Sequence, residues 1–215
     1  IGNLKFSQTE KSEKSLSPNI KRFFLTKKIW CISSTHNTEE KIFAVAHQKL
    51  KEKYKNLLTI MIPRHINRSK NIISEIESLN LNVHVDSSKK KINKNTDIYL
   101  VNSYGKTKSF YKICKTVFLG GSLIKHGGQN PLEAARYGCQ ILHGPNVWNF
   151  KEIYGLLNKH NVSNKVHNLS NITDIADKLF KNKSDSKKIE FKIKKLGNKI
   201  LNLTLKEINF FINKK

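Results

Sequence analysis

Leu119-Gly-Gly-Ser-Leu-Ile-Lys-His-Gly-Gly-Gln-Asn-Pro-Leu-Glu-Ala-Ala-Arg-Tyr-Gly138 decides the fold. The apolar run that enters it, Thr116-Val-Phe-Leu119, reads as a short buried strand. It meets Gly120-Gly121 and then a second pair, Gly127-Gly128, where the backbone is free to turn sharply and to bring its N–H groups close to a ligand. Asn130 is a good helix N-cap, Pro131 suits the first helical position, and Glu133 falls at the third. The loop therefore delivers the open start of a helix, which favours a phosphate. Glu133 follows one turn inside, where a carboxylate accepts hydrogen bonds from a ribose diol. A second strand at 140–142 ends in His143-Gly-Pro-Asn146. A lone glycine pair would be read as a turn before a capped helix. Two pairs, a cap and a following strand make a longer signal, and it points to a nucleotide site.

The stretch resembles the C-terminal half of the 3-deoxy-D-manno-octulosonic acid (Kdo) transferases. Their donor-side pattern contains GGSL, GG-x-NPLE and GP-x-x-x-NF in that order. Here these are Gly120-Gly-Ser-Leu123, Gly127-Gly-Gln-Asn-Pro-Leu-Glu133, and Gly144-Pro145 with Asn149-Phe150. Three upstream stretches match as well: Gly2-Asn-Leu-Lys-Phe6, Ser34-Thr-His36 followed by Glu39-Glu40, and Ile62-Pro-Arg-His65. The resemblance runs to about residue 180. It implies an α/β, Rossmann-like doubly wound parallel sheet, the C-terminal half of a GT-B glycosyltransferase. Residues 1–28 are then a hinge and linker from an N-terminal domain missing here, 29–185 the nucleotide-sugar-binding domain, and 186–215 a C-terminal helix packing back toward that absent domain. The chain begins at Ile1 without a methionine, which fits a fragment.

Residue by residue, the resemblance implies that Pro63 and Arg64, then Tyr104, Gly105 and Lys106, then Gly121, Ser122, Asn130, Pro131, Leu132 and Glu133 contact CMP-Kdo. Ser34, Thr35 and His36 would face the donor sugar. Lys5 would stabilise charge during transfer. The general base belongs to a glutamate of the N-terminal domain, and no cofactor or metal enters the site. Acceptor and surroundings follow: a lipid A precursor, an anionic membrane surface, and the cytoplasmic face of the bacterial inner membrane. Four positions depart from the family pattern. Ser7 and Asn102 stand where relatives carry Asp, Thr38 where they carry Gly, and Lys106 where they carry Glu; the last removes an acid from the expected nucleotide contact.

The residues support this organisation independently. Strands are expected at 28–34, 57–62, 81–85, 97–101 and 116–119, and helices at 39–54, 67–79 and 107–114, alternating as parallel doubly wound sheets do. Ser33-Ser-Thr-His-Asn-Thr38 then lies at the carboxyl end of the first strand, where open α/β sheets bind ligands. In that loop Thr38 has the alternative of merely capping the next helix, and Glu39 and Glu40 read as capping acids. His65 reads as a structural or supporting donor. Lys89-Lys-Lys91 reads as a solvated turn. After Phe150 helices are expected at 151–158 and 171–180, an edge strand near 165–168, and a long amphipathic helix over 189–213.

Composition narrows the function. Forty Lys and Arg against sixteen Asp and Glu give a formal charge of +24, spread along the chain rather than gathered in a tail. Part is a compositional bias toward Lys, Asn and Ile; the rest suits an enzyme working on phosphorylated lipid at an anionic surface. Cys31, Cys114 and Cys139 lack metal-ligand spacing and read as reduced, packed thiols. No apolar run reaches the length of a membrane span. A nucleic-acid module is disfavoured because the basic residues are not interleaved with aromatics. The remaining alternative is another GT-B glycosyltransferase or a nucleotide-sugar epimerase.

Overall fold

The structure, a computed structural model, describes residues 4–7, 16–87, 91–182 and 185–212. The expected turn at Gly2-Asn3, part of the expected linker, and Lys89 and Lys90 lie outside the described residues. In chain order the elements are α1 (Pro18–Leu25), β1 (Lys28–Thr35), α2 (Glu39–Lys53), β2 (Leu57–Pro63), α3 (Ser69–Glu77), β3 (Val83–Val85), β4 (Ile98–Leu100), α4 (Thr107–Tyr111), β5 (Thr116–Leu119), α5 (Leu132–Arg136), β6 (Gln140–His143), α6 (Lys151–Lys159), β7 (Ser163–Lys165), α7 (Leu169–Lys181) and α8 (Ser186–Ile212).

The strands form one parallel seven-stranded sheet in the order β3-β4-β2-β1-β5-β6-β7. This is the expected doubly wound sheet. Strand order reverses between β1 and β5, where Cys31 pairs with Val117 and Ser33 with Leu119. A crevice at the carboxyl ends of those two strands is where such sheets take ligands. The central strands are near-continuous apolar runs because helices cover both faces. Leu57-Leu-Thr-Ile-Met-Ile-Pro63 is buried at every position.

Two apolar layers result. One joins α1, α4, α5, α6 and the first half of α8 to the sheet through Phe24, Phe110, Leu132, Leu157 and Ile193. The other joins α2, α3 and α7 through Trp30, Phe43, Ile72, Phe118 and Ile172. The Trp30 indole donates to Thr59 Oγ1 at 2.5 Å, so its polar edge is satisfied inside the core.

The expected boundaries shift at both ends. Within the segment expected as a linker with a short helix, the helix is present as α1, but it is packed onto the domain: Leu16 and Phe24 are buried and Phe24 meets Tyr99 edge-on at 5.1 Å. Spacing explains this: an Asn-Ile-Lys-Arg-Phe-Phe pattern behind the Ser17 cap gives a short amphipathic helix. The first half of α8 likewise belongs to the domain, with Ile189, Ile193 and Ile200 buried. Its second half leaves Leu201, Leu205, Ile208 and Ile212 exposed. Among the described residues no helix is long and apolar enough to cross a membrane.

Candidate functional site

β1 and β5 approach so closely at their carboxyl ends that only glycine fits between them. A Cβ on Gly120 would lie 2.3 Å from the Ser34 carbonyl oxygen. Ser34 itself sits at a bulge in β1 with φ 55°, which turns the loop over the sheet edge. Arg64 N–H then donates to Thr35 O at 2.9 Å, tying the end of β2 to the same point. Three loops converge here because of these backbone contacts.

Glu39, the first residue of α2, fills the centre. Its carboxylate accepts from the N–H groups of His36 at 2.9 Å, Gly121 at 2.8 Å, Ser122 at 3.2 Å and Leu123 at 3.1 Å. Burial raises its carboxyl above the ordinary carboxylate value on balance, with the four N–H bonds acting against that rise. All four neighbours are donors, so the arrangement suits the ionised form; a protonated carboxyl would need an acceptor for its O–H. Glu40 is also fully buried and takes Arg68 in a forked pair at 3.0 and 3.3 Å. Thr38 makes no side-chain cap bond. The expectation that Glu39 and Glu40 merely cap the helix is therefore corrected: Glu39 takes the local His36 N–H but also three donors of the loop after β5, and Glu40 is buried against Arg68.

This corrects a second expectation. The N–H groups of Gly121 and Ser122 are turned onto Glu39 and are not offered to a phosphate. The Ser122 hydroxyl donates to Leu119 O at 2.5 Å and accepts from Gly144 N–H at 2.8 Å, and the residue is fully buried.

Around this anchor the exposed rim is cationic and aromatic. Arg64 and His65 are exposed after the end of β2, while Pro63 is buried. The His36 ring lies 4.1 Å from His126 and 5.7 Å from His65. Burial first, then the neighbouring His126, His65, Arg64 and Arg68, hold the His36 imidazole down at about 4, so it is neutral at pH 7. Thr35 Oγ1 and His36 Nε2 are buried and have no hydrogen-bond partner. Buried polar atoms are nearly always satisfied, and two orphans on consecutive residues at a strand switch suit an outside group.

The other expected contacts fall into separate groups. Asn130 is exposed and Glu133 half-buried. The helix starts at Leu132, later than expected, with Pro131 as its cap; Asn130 Oδ1 accepts from Leu132 N–H at 3.1 Å. Glu133 Oε1 lies 3.7 Å from Lys108 Nζ. Leu132 is corrected as a ligand contact: its side chain is fully buried and its N–H is taken by Asn130. Tyr104 is 71% exposed and Gly105 has φ 81°. Lys106 is engaged elsewhere, 2.5 Å from Asp86, which also accepts from Tyr99 OH and Ser103 OH. Lys5 is exposed; its carbonyl accepts from Arg136 and its ammonium lies 5.9 Å from the Phe150 ring centroid. Lys5 is thus placed beside α5 and Phe150.

Glu39 takes a part other than the expected one, as the anchor, while His65, expected as a supporting residue, and His126 wall the His36 ring. Two acids after a strand end are an ordinary helix start, so nothing local set Glu39 apart. A cleft of about 360 Å³ at the ends of β6 and β7, lined by His143, Trp148, Lys151, Tyr154, Asn158 and Lys165, was also unforeseen. Among the described residues no group of His, Cys, Asp or Glu is arranged to hold a metal ion.

No protein-family model matches the chain. Curated relatives do. The 3-deoxy-D-manno-octulosonic acid transferase of Haemophilus influenzae is 36% identical over 129 residues, 60% of this chain and 30% of that protein. The enzyme of the same name from Rickettsia conorii is 34% identical over 154 residues, 68% of this chain and 32% of that protein. The chain thus matches about a third of the length of these relatives. Among solved structures, the C-terminal CMP-Kdo binding domain of WaaA from Acinetobacter baumannii superposes with a TM-score of 0.74 at 25% identity, covering 81% of this chain and 92% of that domain. The C-terminal domain of the glycosyl transferase LpcC from Francisella tularensis gives 0.51 at 14%, covering 88% and 94%, a likeness of fold alone. By sequence and by fold together, the chain is a homologue of the Kdo transferases and has the architecture of a GT-B C-terminal domain.

Proposed function

We propose that the chain is the donor-binding domain of a Kdo transferase and holds CMP-Kdo in the crevice between β1 and β5. The observation that carries this reading is the pair of orphaned buried atoms, Thr35 Oγ1 and His36 Nε2, at the strand switch beside exposed Arg64. Activated-sugar transfer needs the charge of a departing nucleoside monophosphate to be stabilised. Arg64 is permanently charged and forks onto phosphate oxygens, so this reading gives it that work without a metal. Thr35 and His36 face the donor sugar, with Ser34 at the bulge beside them. Glu133 and Asn130 meet the ribose, and Tyr104 with Gly105 the base.

The rest of the reaction lies with the longer protein that the relatives represent. There the Kdo unit passes to a lipid A precursor at the cytoplasmic face of the inner membrane, with a general base outside this chain. The spread charge of +24 supports work beside an anionic surface. The exposed stripe of Leu201, Leu205, Ile208 and Ile212 on α8 is then covered by the remainder of that protein.

The test is calorimetric titration of the chain with CMP and with UDP. The reading expects saturable binding of CMP and weaker binding of UDP. UDP binding the tighter would favour a different nucleotide-sugar enzyme of the same fold. Incubation of the chain alone with CMP-Kdo and a lipid A precursor should yield no transfer.

A further inference from the structure

We infer that Glu39 determines the phosphate number of the donor: it makes the crevice a site for a nucleoside monophosphate and bars a diphosphate. The inference rests on the nucleotide site proposed above and adds a specificity residue to it.

Consecutive backbone N–H groups turned to one point form an anion nest, the device by which glycine loops receive phosphates. Gly121, Ser122 and Leu123 make such a run, and His36 N–H joins it from the opposite loop. The anion inside is the chain's own carboxylate. Two consequences follow. The four N–H donors of this nest, which could otherwise take a second phosphate, are already engaged. A negative charge also sits fixed behind the crevice wall, where burial weakens solvent screening and a further phosphate is repelled.

The loop cannot turn its N–H groups outward without breaking more than these bonds. Gly121 O accepts from Gly128 N–H at 2.9 Å, and the Ser122 hydroxyl is bonded on both sides. His36, neutral at pH 7, adds no charge to offset a second phosphate. Arg64 on the rim matches a single phosphate group.

The test compares CMP and CDP binding to the wild-type chain and to Glu39→Gln, which removes the charge at nearly the same size while turning an amide NH2 toward two of the four N–H donors. The expected result is wild-type preference for CMP of about tenfold or more, narrowing in the variant as CDP gains. A purely structural role would weaken both nucleotides together and leave the ratio unchanged; that outcome in a folded variant overturns the inference. Should the variant not fold, the wild type still decides, because CDP binding as tightly as CMP overturns the inference directly. If the wild type binds CMP with the preference unaltered by the substitution, only Glu39's role is lost. If it binds neither nucleotide, the proposed donor site falls and this inference with it.

Discussion

The Glu39 carboxylate accepts a hydrogen bond from Gly121 N–H at 2.8 Å, joining the start of α2 to the loop after β5 across the strand switch. Three further backbone donors share it. Truncation to Ala would leave buried N–H groups without an acceptor, at about 1–3 kcal/mol for each unsatisfied group before relaxation. Glu39→Ala should therefore lose about 3 kcal/mol or more of unfolding free energy in urea titration. A change within about 0.5 kcal/mol, the range of surface substitutions, would show that the nest is not a structural keystone.

Gly120 carries the close approach of β1 and β5. An added Cβ would meet backbone, the Ser34 carbonyl at 2.3 Å, rather than a side chain able to move aside. Gly120→Ala should destabilise by about 2–4 kcal/mol and shift amide resonances of both loops. An unperturbed spectrum would contradict the packing described for the switch.

Thr38 works against its own geometry. It sits at φ 77°, a region costly for a β-branched side chain, and makes no cap bond in return. Relatives are expected to carry glycine here. Thr38→Gly should raise stability by about 1 kcal/mol, read as a higher urea midpoint with unchanged slope.

Stability should fall with acid in two stages. Burial keeps His36 and His143 neutral down to about 4, against an ordinary value of 6.5. Between these values the unfolded chain takes up protons that the folded chain refuses, so stability declines as pH drops from 6.5 toward 4. Asp97 extends the decline below that. Burial opposes its charge, but His47, Lys51 and Asn82 N–H hold its carboxyl below the usual carboxylate range, so its contribution is lost once the unfolded carboxylate protonates. Urea midpoints across this range should fall steadily, and His36→Asn should flatten the first stage. A constant midpoint between pH 6.5 and 4 would contradict the environments of both histidines.

Much of the fold was legible in the sequence because periodicity and glycine placement are local signals. Thr116–Leu119 has the expected bounds, and Leu57–Pro63 extends the expected strand by one residue, since apolar runs bounded by turn residues leave little choice. The 67–79 helix was only partly legible: Ile66–Arg68 is a 3-10 turn and the α-helix begins at Ser69. The site was less legible than the fold. Arg64 and His36 stand after strand ends, where topology alone marks them. Glu39 depends on partners 82 to 84 residues away, and sequence near it carries no trace of them. Lys106 was recognised as a departure, but its engagement with Asp86 depends on how β3 and β4 pair.

The most direct test is an amide chemical-shift map of the chain titrated with CMP. The account predicts saturable shifts gathered on residues 34–36, 64–65, 126 and 130–133, abolished by Arg64→Ala in a folded protein. Shifts gathered instead on the cleft of Trp148, Lys151 and Lys165, or none at millimolar CMP, would contradict it.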